Sequence, residues 1–270
     1  MELCMNKTPR PFLILTNDDG YTSPGLRALW RALADDYDLL VIAPDRQRSW
    51  IAKAITNPGP LELIQETVDG RAVQVLRGGT PADCANVGIY HLSPRKPDLL
   101  LSGINLGPNY THSLTISSGT VGAALEAACN GVKAISIGYD LDLERLNALE
   151  EGSQAQVDFF SEAADVVKNI VHSLMITPLP DGVGLINVVI PQTIQQPPKI
   201  VQCDPMPYEH GSVFLRQGNQ FRNRSVGFLA EGTEIVPGSD VWAVRQGWVA
   251  FTAYTGRLET ANQIRIEISL

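Results

Sequence analysis

Asp18 and Asp19 stand side by side in Thr16-Asn17-Asp18-Asp19-Gly20, directly after an apolar run from Phe12 to Thr16. Two carboxylates leaving a buried segment repel each other and lose hydration unless a cation sits between or beside them. A hard divalent cation with oxygen ligands (magnesium, manganese or calcium) answers that cost. The plainer reading is a turn capped by one aspartate, with Gly20 at positive φ. A second cluster, Ala43-Pro44-Asp45-Arg46-Gln47-Arg48-Ser49, sets two arginines before a serine. Guanidinium forks bind phosphate bidentately, which makes Arg46 a candidate substrate contact. A solvated loop with a local Asp–Arg pair has the same composition. The third cluster is Ser102-Gly103-Ile104-Asn105-Leu106-Gly107-Pro108-Asn109. Its glycines let backbone approach a ligand, and its neutral asparagines can ligate a metal or orient a phosphoryl oxygen without adding charge. An asparagine-stabilised turn pair is the alternative. The fourth, Ser117-Ser118-Gly119-Thr120-Val121-Gly122, enters a helix whose free amides and hydroxyls suit an anion. Ordinary N-capping by Ser118 or Thr120 would use the same residues.

Singly, each cluster has its plain explanation. Together, a carboxylate pair, a neutral ligand set, guanidinium donors and an anion-binding helix end describe metal-assisted phosphate chemistry. Other chemistries lack their residues. There is no G-x-x-x-x-G-K-[ST] phosphate loop, no G-x-G-x-x-G in the first strand–helix turn and no G-x-S-x-G elbow. The residue two beyond Asp18 is Gly20, so the Asp-x-Asp of aspartyl-phosphate enzymes is absent. Two other classes keep the same carboxylate pair: a transferase using a nucleotide sugar, and a sensor that binds nucleotide or polyphosphate with metal but does not consume it.

The elements that must position these clusters alternate. Phe12–Thr16, Leu39–Ala43, Asp98–Leu101, Ala134–Ile137 and Leu185–Ile190 are short apolar runs of the kind buried in a parallel sheet. Helix signals fall between them. Ser23-Pro24 opens one, with Leu26, Leu29, Trp30 and Leu33 on one face, and Thr80-Pro81 opens another. Residues 119–130 make a third, and Gln154 to Met175 a longer one with Val157, Phe160, Ala164, Val167 and Val171 on a single face. Val68-Asp69-Gly70 is a hairpin signal between two strands, and Asp140–Glu151 reads as an acidic exposed stretch. The expectation is an α/β core over residues 1–190, with a mainly parallel sheet covered on both faces. In such sheets ligands bind outside the carboxyl ends of the strands, where all four clusters fall. From Pro191 prolines multiply and the rhythm breaks. Strands are expected at Ser212–Arg216, Phe221–Val226, 248–254 and 263–269, with a short helix capped by Ser239-Asp240, giving a β-rich extension over 191–270.

Composition sets the remaining bounds. The chain has 270 residues, 44% hydrophobic and 19% charged, ordinary values for a globular protein. Its 21 Lys and Arg against 29 Asp and Glu leave a net charge of −8. That balance argues against a nucleic-acid polymer as partner, whose affinity comes mainly from clustered cations. No apolar run reaches the roughly 18 residues of a membrane helix, and the N-terminal residues lack a signal-peptide core. Four scattered cysteines without a C-x-x-C pair, and four histidines without paired spacing, suit a reduced cytoplasmic protein and disfavour zinc.

The stretches LTNDDGYTSPGL, VIAPDRQRS, GGTPADC, LLSGINLGPN and SSGTVGAALEA, with DVWAVRQGWVAFTAY near the C-terminus, resemble the SurE (survival protein E) family. That resemblance implies a Rossmann-like three-layer core whose C-terminal segments exchange between subunits of a homodimer or homotetramer. It implies a divalent-metal-dependent phosphatase of nucleoside 5′- and 3′-monophosphates, with one cation per subunit. It makes Asp18, Asp19, Ser49 and Asn105 the metal ligands, sets Asn109 beside the phosphate as a catalytic partner of Asp18, and forms the phosphate cradle from Ser117, Ser118, Gly119 and Thr120. Trp50 departs from the family pattern, which has a small residue after the serine. It is expected either to stack on a nucleobase or to anchor its loop.

Overall fold

The structure is a computed structural model, and it describes residues 9–223, 229 and 232–256. The elements are β1 (Phe12–Thr16), α1 (Pro24–Leu33), β2 (Asp38–Pro44), β3 (Glu62–Val68), β4 (Arg71–Arg77), α2 (Pro81–Val87) and β5 (Leu99–Asn105). There follow α3 (His112–Ser117), α4 (Gly119–Cys129), β6 (Ala134–Tyr139), α5 (Leu143–Asn147), α6 (Gln154–Phe159), α7 (Ser161–Ile176) and β7 (Leu185–Ile190). Beyond them lie β8 (Ile200–Gln202), β9 (Phe214–Gln217), β10 (Gln220–Asn223), α8 (Asp240–Arg245) and β11 (Val249–Tyr254).

Among the described residues one nine-stranded sheet runs β3-β4-β2-β1-β5-β6-β7-β11-β8. The strands from β4 to β7 are parallel, β3 turns back antiparallel to β4, and β11 lies antiparallel to β7. The strands β1, β6 and β7 are buried along their whole length, as their unbroken apolar runs require of a sheet covered on both faces. One face packs Leu26, Leu29 and Leu33 of α1 with Val167 and Val171 of α7. The other packs Cys84 and Ala85 of α2 with Val121, Ala124 and Ala127 of α4. This is the expected three-layer α/β core. The turn Asp69-Gly70 has both residues at positive φ, 51° and 73°, which fits a tight two-residue hairpin between β3 and β4.

Four expectations change. The helix expected over 154–175 is two, broken at Phe160, whose ring is wholly buried edge-on to Tyr139 and Phe159. All five apolar positions of its face are buried nonetheless, because the chain keeps its helical phase across the break. The third polar cluster does not follow its strand but begins inside it, since β5 continues through Asn105 with a register shift after Ser102. The acidic stretch after β6 contains a helix, α5, whose Leu146 is buried in the core. Past residue 190 the sheet goes on. The strands β11 and β8 extend the core sheet, and β9–β10 stands apart as an exposed hairpin. The strand expected at 263–269 and the end of the one expected at Phe221–Val226 lie outside the described residues.

Candidate functional site

The site begins where β1 releases the chain. The Asn17 side chain closes the turn on Gly20, donating to its carbonyl at 2.9 Å and accepting from its amide at 3.2 Å. Gly20 has φ +100°, which favours glycine, and a Cβ there would lie in ordinary contact with the Arg46 backbone at 3.4 Å, so the first and second loops pack together at this residue. Asp18 is 3% exposed; its Oδ1 accepts from the Thr120 hydroxyl and its carbonyl from the Arg48 amide at 2.6 Å. Asp19 has different partners, accepting at Oδ2 from the Leu106 amide at 3.0 Å, with Gln47 Nε2 at 3.5 Å from Oδ1. The carboxylate pair is thus tied to all three other clusters.

The asparagines and α4 form a second network. Asn109 Oδ1 accepts from Asn105 Nδ2 at 3.2 Å and from the Ser118 hydroxyl at 3.0 Å. Its Nδ2 is buried with no hydrogen-bond partner. Ser118 caps α4 by accepting from the Val121 amide, which leaves the amides of Gly119 and Thr120 in the first turn without helical acceptors. A Cβ on Gly119 would lie 2.9 Å from Asp18 Oδ2 and from the Arg48 carbonyl, so the helix end is pressed against the carboxylate pair.

The other residues named from the sequence are more exposed. Arg46 is exposed, whereas Arg48 is half-buried, pairs with Asp45 at 3.5 Å and keeps an unpartnered Nε. Ser49 is exposed on the turn beside Arg48. Ser117 ends α3, and its carbonyl accepts from the Ala52 amide at 3.0 Å, docking the second loop on α4. Trp50 sits edge-on to His210 with ring centroids 5.8 Å apart and remains 47% exposed.

Two buried residues that the sequence reading missed hold Asn109 in place. Asn187 of β7 donates to the Asn109 carbonyl at 2.7 Å, itself fixed by the Ser136 hydroxyl at 2.8 Å. Asp240, read only as part of a helix cap, accepts from the Thr111 amide at 2.8 Å and the Met206 amide at 2.9 Å. Thr111 has φ 63°, a costly conformation for a β-branched residue, and the Asp240 carboxylate grips it there. An asparagine in the apolar run Leu185–Ile190 was the signal available for Asn187.

The electrostatics are unbalanced. Burial raises the carboxyl of Asp18, and burial plus the Asp18 charge raises that of Asp19 further. Among the described residues neither carboxylate has a cationic side-chain partner. Two adjacent carboxylates flanked by amides and hydroxyls are a hard-oxygen donor set, and a divalent cation fits it.

Comparison with known proteins follows the same lines. A family model described as Survival protein SurE matches residues 13–210. The 5′-nucleotidase SurE of Archaeoglobus fulgidus is 35% identical over 240 residues, 89% of each chain. That of Methanoregula boonei is 34% identical over 250 residues, 91% of this chain and 93% of its own. The crystal structure of SurE protein from Aquifex aeolicus superposes with a TM-score of 0.70 at 30% identity, covering 92% of this chain and 95% of that one. A family match across nearly two hundred residues that contain all four clusters, together with these relatives, establishes that the chain belongs to the SurE family.

Proposed function

We propose that the chain is a divalent-cation-dependent phosphomonoesterase that hydrolyses nucleoside 5′-monophosphates, and 3′-monophosphates at the same site, to nucleoside and phosphate. The observation that carries this reading is a cation-demanding carboxylate pair pressed against an anion-receiving helix end, with the orphaned Asn109 amide N–H in the same network. The relatives named 5′-nucleotidase support the nucleotide as substrate.

Asp18 and Asp19, with Asn105 and Ser49, would hold magnesium or manganese. Such a cation supplies Lewis acidity toward the phosphoryl group and toward water. The chain's own residues do the rest. Thr120 and the Leu106 amide each fix one oxygen of the two carboxylates. The Asp18 carboxylate would orient the attacking water. Asn109 Nδ2 donates to a phosphoryl oxygen, satisfying a donor that is otherwise buried without a partner. The Gly119 amide and the Ser117 hydroxyl, at the positive end of α4, would offset charge on the equatorial oxygens as the phosphorus–oxygen bond to the nucleoside breaks, while the Ser118 hydroxyl and the Thr120 amide are turned to Asn109 and Asp18. Arg46 lies outside this ring and would meet substrate from the solvent side.

Copies of the chain would associate through the hairpin β9–β10, where Phe214 and Phe221 are exposed on one face and Leu215 on the other. The free thiols of Cys84, Cys129 and Cys203 suit a cytoplasmic setting. Among the described residues no helix is long and apolar enough to cross a membrane.

The test is phosphate release from a panel of 5′- and 3′-mononucleotides, in EDTA and after restoring magnesium or manganese. Release restored by cation is the expected result. Release indifferent to chelation overturns the cation's part, and no release under any condition overturns the enzyme.

A further inference from the structure

Asp19 also lines a cavity of about 650 Å³, within the usual range for small-molecule sites. Asp19 and Leu106, joined by the carboxylate–amide hydrogen bond, form the wall it shares with the carboxylate pair. Its other walls are the start of α1, the tip of the β3–β4 hairpin and the segment from α5 to Gln156. Arg27 locks these walls together: Nε and Nη2 donate to the Asp69 carboxylate at 2.9 and 2.7 Å, and Nη1 to the Gly152 carbonyl at 2.9 Å. The Gln156 amide oxygen accepts from the Gly152 amide at 2.9 Å, bracing the same corner. The cavity is therefore preformed.

Its chemistry selects against a second anion. Arg27 is the one cation in its lining, and three of its nitrogens are already engaged; Asp19, Asp69 and Glu151 are the other charged groups. Leu106, Leu146 and Val68 offer apolar surface beside the hydroxyl and amide groups of Thr67 and Asn147. Ser23 adds an unused polar atom to the wall. Thr80, Thr111, Ser118, Ser153 and Ser239 each cap a helix by accepting from a backbone amide, but Ser23 makes no such bond to α1 and its hydroxyl is buried without a partner.

We infer that this cavity binds the uncharged nucleoside of the substrate while its single phosphate is held at the carboxylate pair and the start of α4. The inference rests on the nucleotidase reading and adds to it where the nucleoside lies and why a monophosphate fits better than a diphosphate. A phosphate inside the cavity would face Asp69 and Glu151 with Arg27 already paired.

Two tryptophans test it, Thr67→Trp and Asn147→Trp, at exposed positions on opposite lips. The readout is the ratio of kcat/KM for adenosine 5′-monophosphate and uridine 5′-monophosphate to that for p-nitrophenyl phosphate, together with competitive inhibition by adenosine alone. Circular dichroism and Tm establish that each variant is folded. The expected result is a ratio lowered at least tenfold in both variants, with adenosine inhibition weakened by a similar factor. An unchanged ratio in folded variants, while wild type hydrolyses mononucleotides, overturns the cavity assignment alone. Wild type that cleaves p-nitrophenyl phosphate but no mononucleotide overturns the nucleotidase reading and the cavity assignment with it. A diphosphate cleaved as well as the monophosphate, and lost in parallel in both variants, overturns the choice of an uncharged occupant.

Discussion

Replacing Asp19 by asparagine should stabilise the metal-free protein while removing its response to divalent cations. The side chain keeps its shape, and its amide oxygen can still accept from the Leu106 amide. What disappears is one of two adjacent charges with no cationic side-chain partner. Asp18 is held at about 6 against an ordinary 3.8, chiefly because burial disfavours the charged form. At about 1.4 kcal/mol per tenfold in proton affinity, its ionisation costs the fold about 3 kcal/mol at pH 8. Asp19 is pushed higher, but it opens partly onto the cavity, where water screens it, so the Asp18 figure serves for either. The cost that remains with Asp18 is common to wild type and variant and cancels, which leaves an expected gain of about 3 kcal/mol from Asp19, or about 8 °C in Tm for a chain of this size. The assay is thermal unfolding at pH 8 in EDTA and in excess manganese. Wild type should gain about 3 kcal/mol from a cation at a hundred times its Kd, and Asp19→Asn nothing measurable. A variant no more stable than wild type in EDTA, or one that keeps the cation-dependent rise, would refute the reasoning.

The same pair fixes a pH dependence. A carboxyl raised in the fold above its unfolded value contributes stability that is complete below about 4 and is lost as pH climbs through the folded values of about 6 and 8. In EDTA, wild type should therefore lose stability between pH 4 and 8 relative to the Asp18→Asn/Asp19→Asn double variant, and denaturant melts across that range measure the difference. Asn109→Ala should lower kcat for mononucleotide hydrolysis by about 10²- to 10³-fold, the usual cost of one lost transition-state donor, with circular dichroism unchanged. Gly119→Ala places a methyl 2.9 Å from Asp18 Oδ2 and the Arg48 carbonyl, so backbone must shift: turnover should fall at least as far, and Tm should drop with a loss of about 1–3 kcal/mol. Asp240→Asn leaves an amide of Thr111 or Met206 unsatisfied; about 1–3 kcal/mol of stability should go, with kcat reduced about 10- to 100-fold by misplacement of Asn109.

Much of this was legible in the chain, and the reason is topological. The strands β2, β1 and β5 are neighbours in the sheet, so the loops after them open on one edge however far apart they lie in sequence. An apolar run reports a buried strand, and whatever polar residues follow a buried parallel strand must come to that edge. The convergence of Asp18, Asn105, Asn109 and Thr120 could be read for that reason. Side-chain pairing inside the edge could not. Whether Arg46 or Arg48 turns inward depends on the Arg48 amide meeting the Asp18 carbonyl, a contact across thirty residues that no local pattern encodes.

The parts that stayed hidden share a cause. Asp240 reaches the Asn109 loop from α8, beyond the strand–helix repeat, because β11 enters the sheet antiparallel to β7 and carries α8 to the edge where the polar loops open. Seen along the chain, Ser239-Asp240 before an apolar turn is a helix cap, and the structure keeps that role: the Ser239 hydroxyl accepts from the Trp242 amide. That leaves the Asp240 carboxylate free for a second task, and burial at 1% exposure makes the task compulsory, since an unsatisfied charge there would be expensive. It meets the cost with backbone amides of Thr111, Met206 and Val241, which belong to three stretches of chain that must therefore fold together. A buried carboxylate with neutral amide partners resists ionisation less than one with none, and those hydrogen bonds are what tie α8 to the loop that presents Asn109.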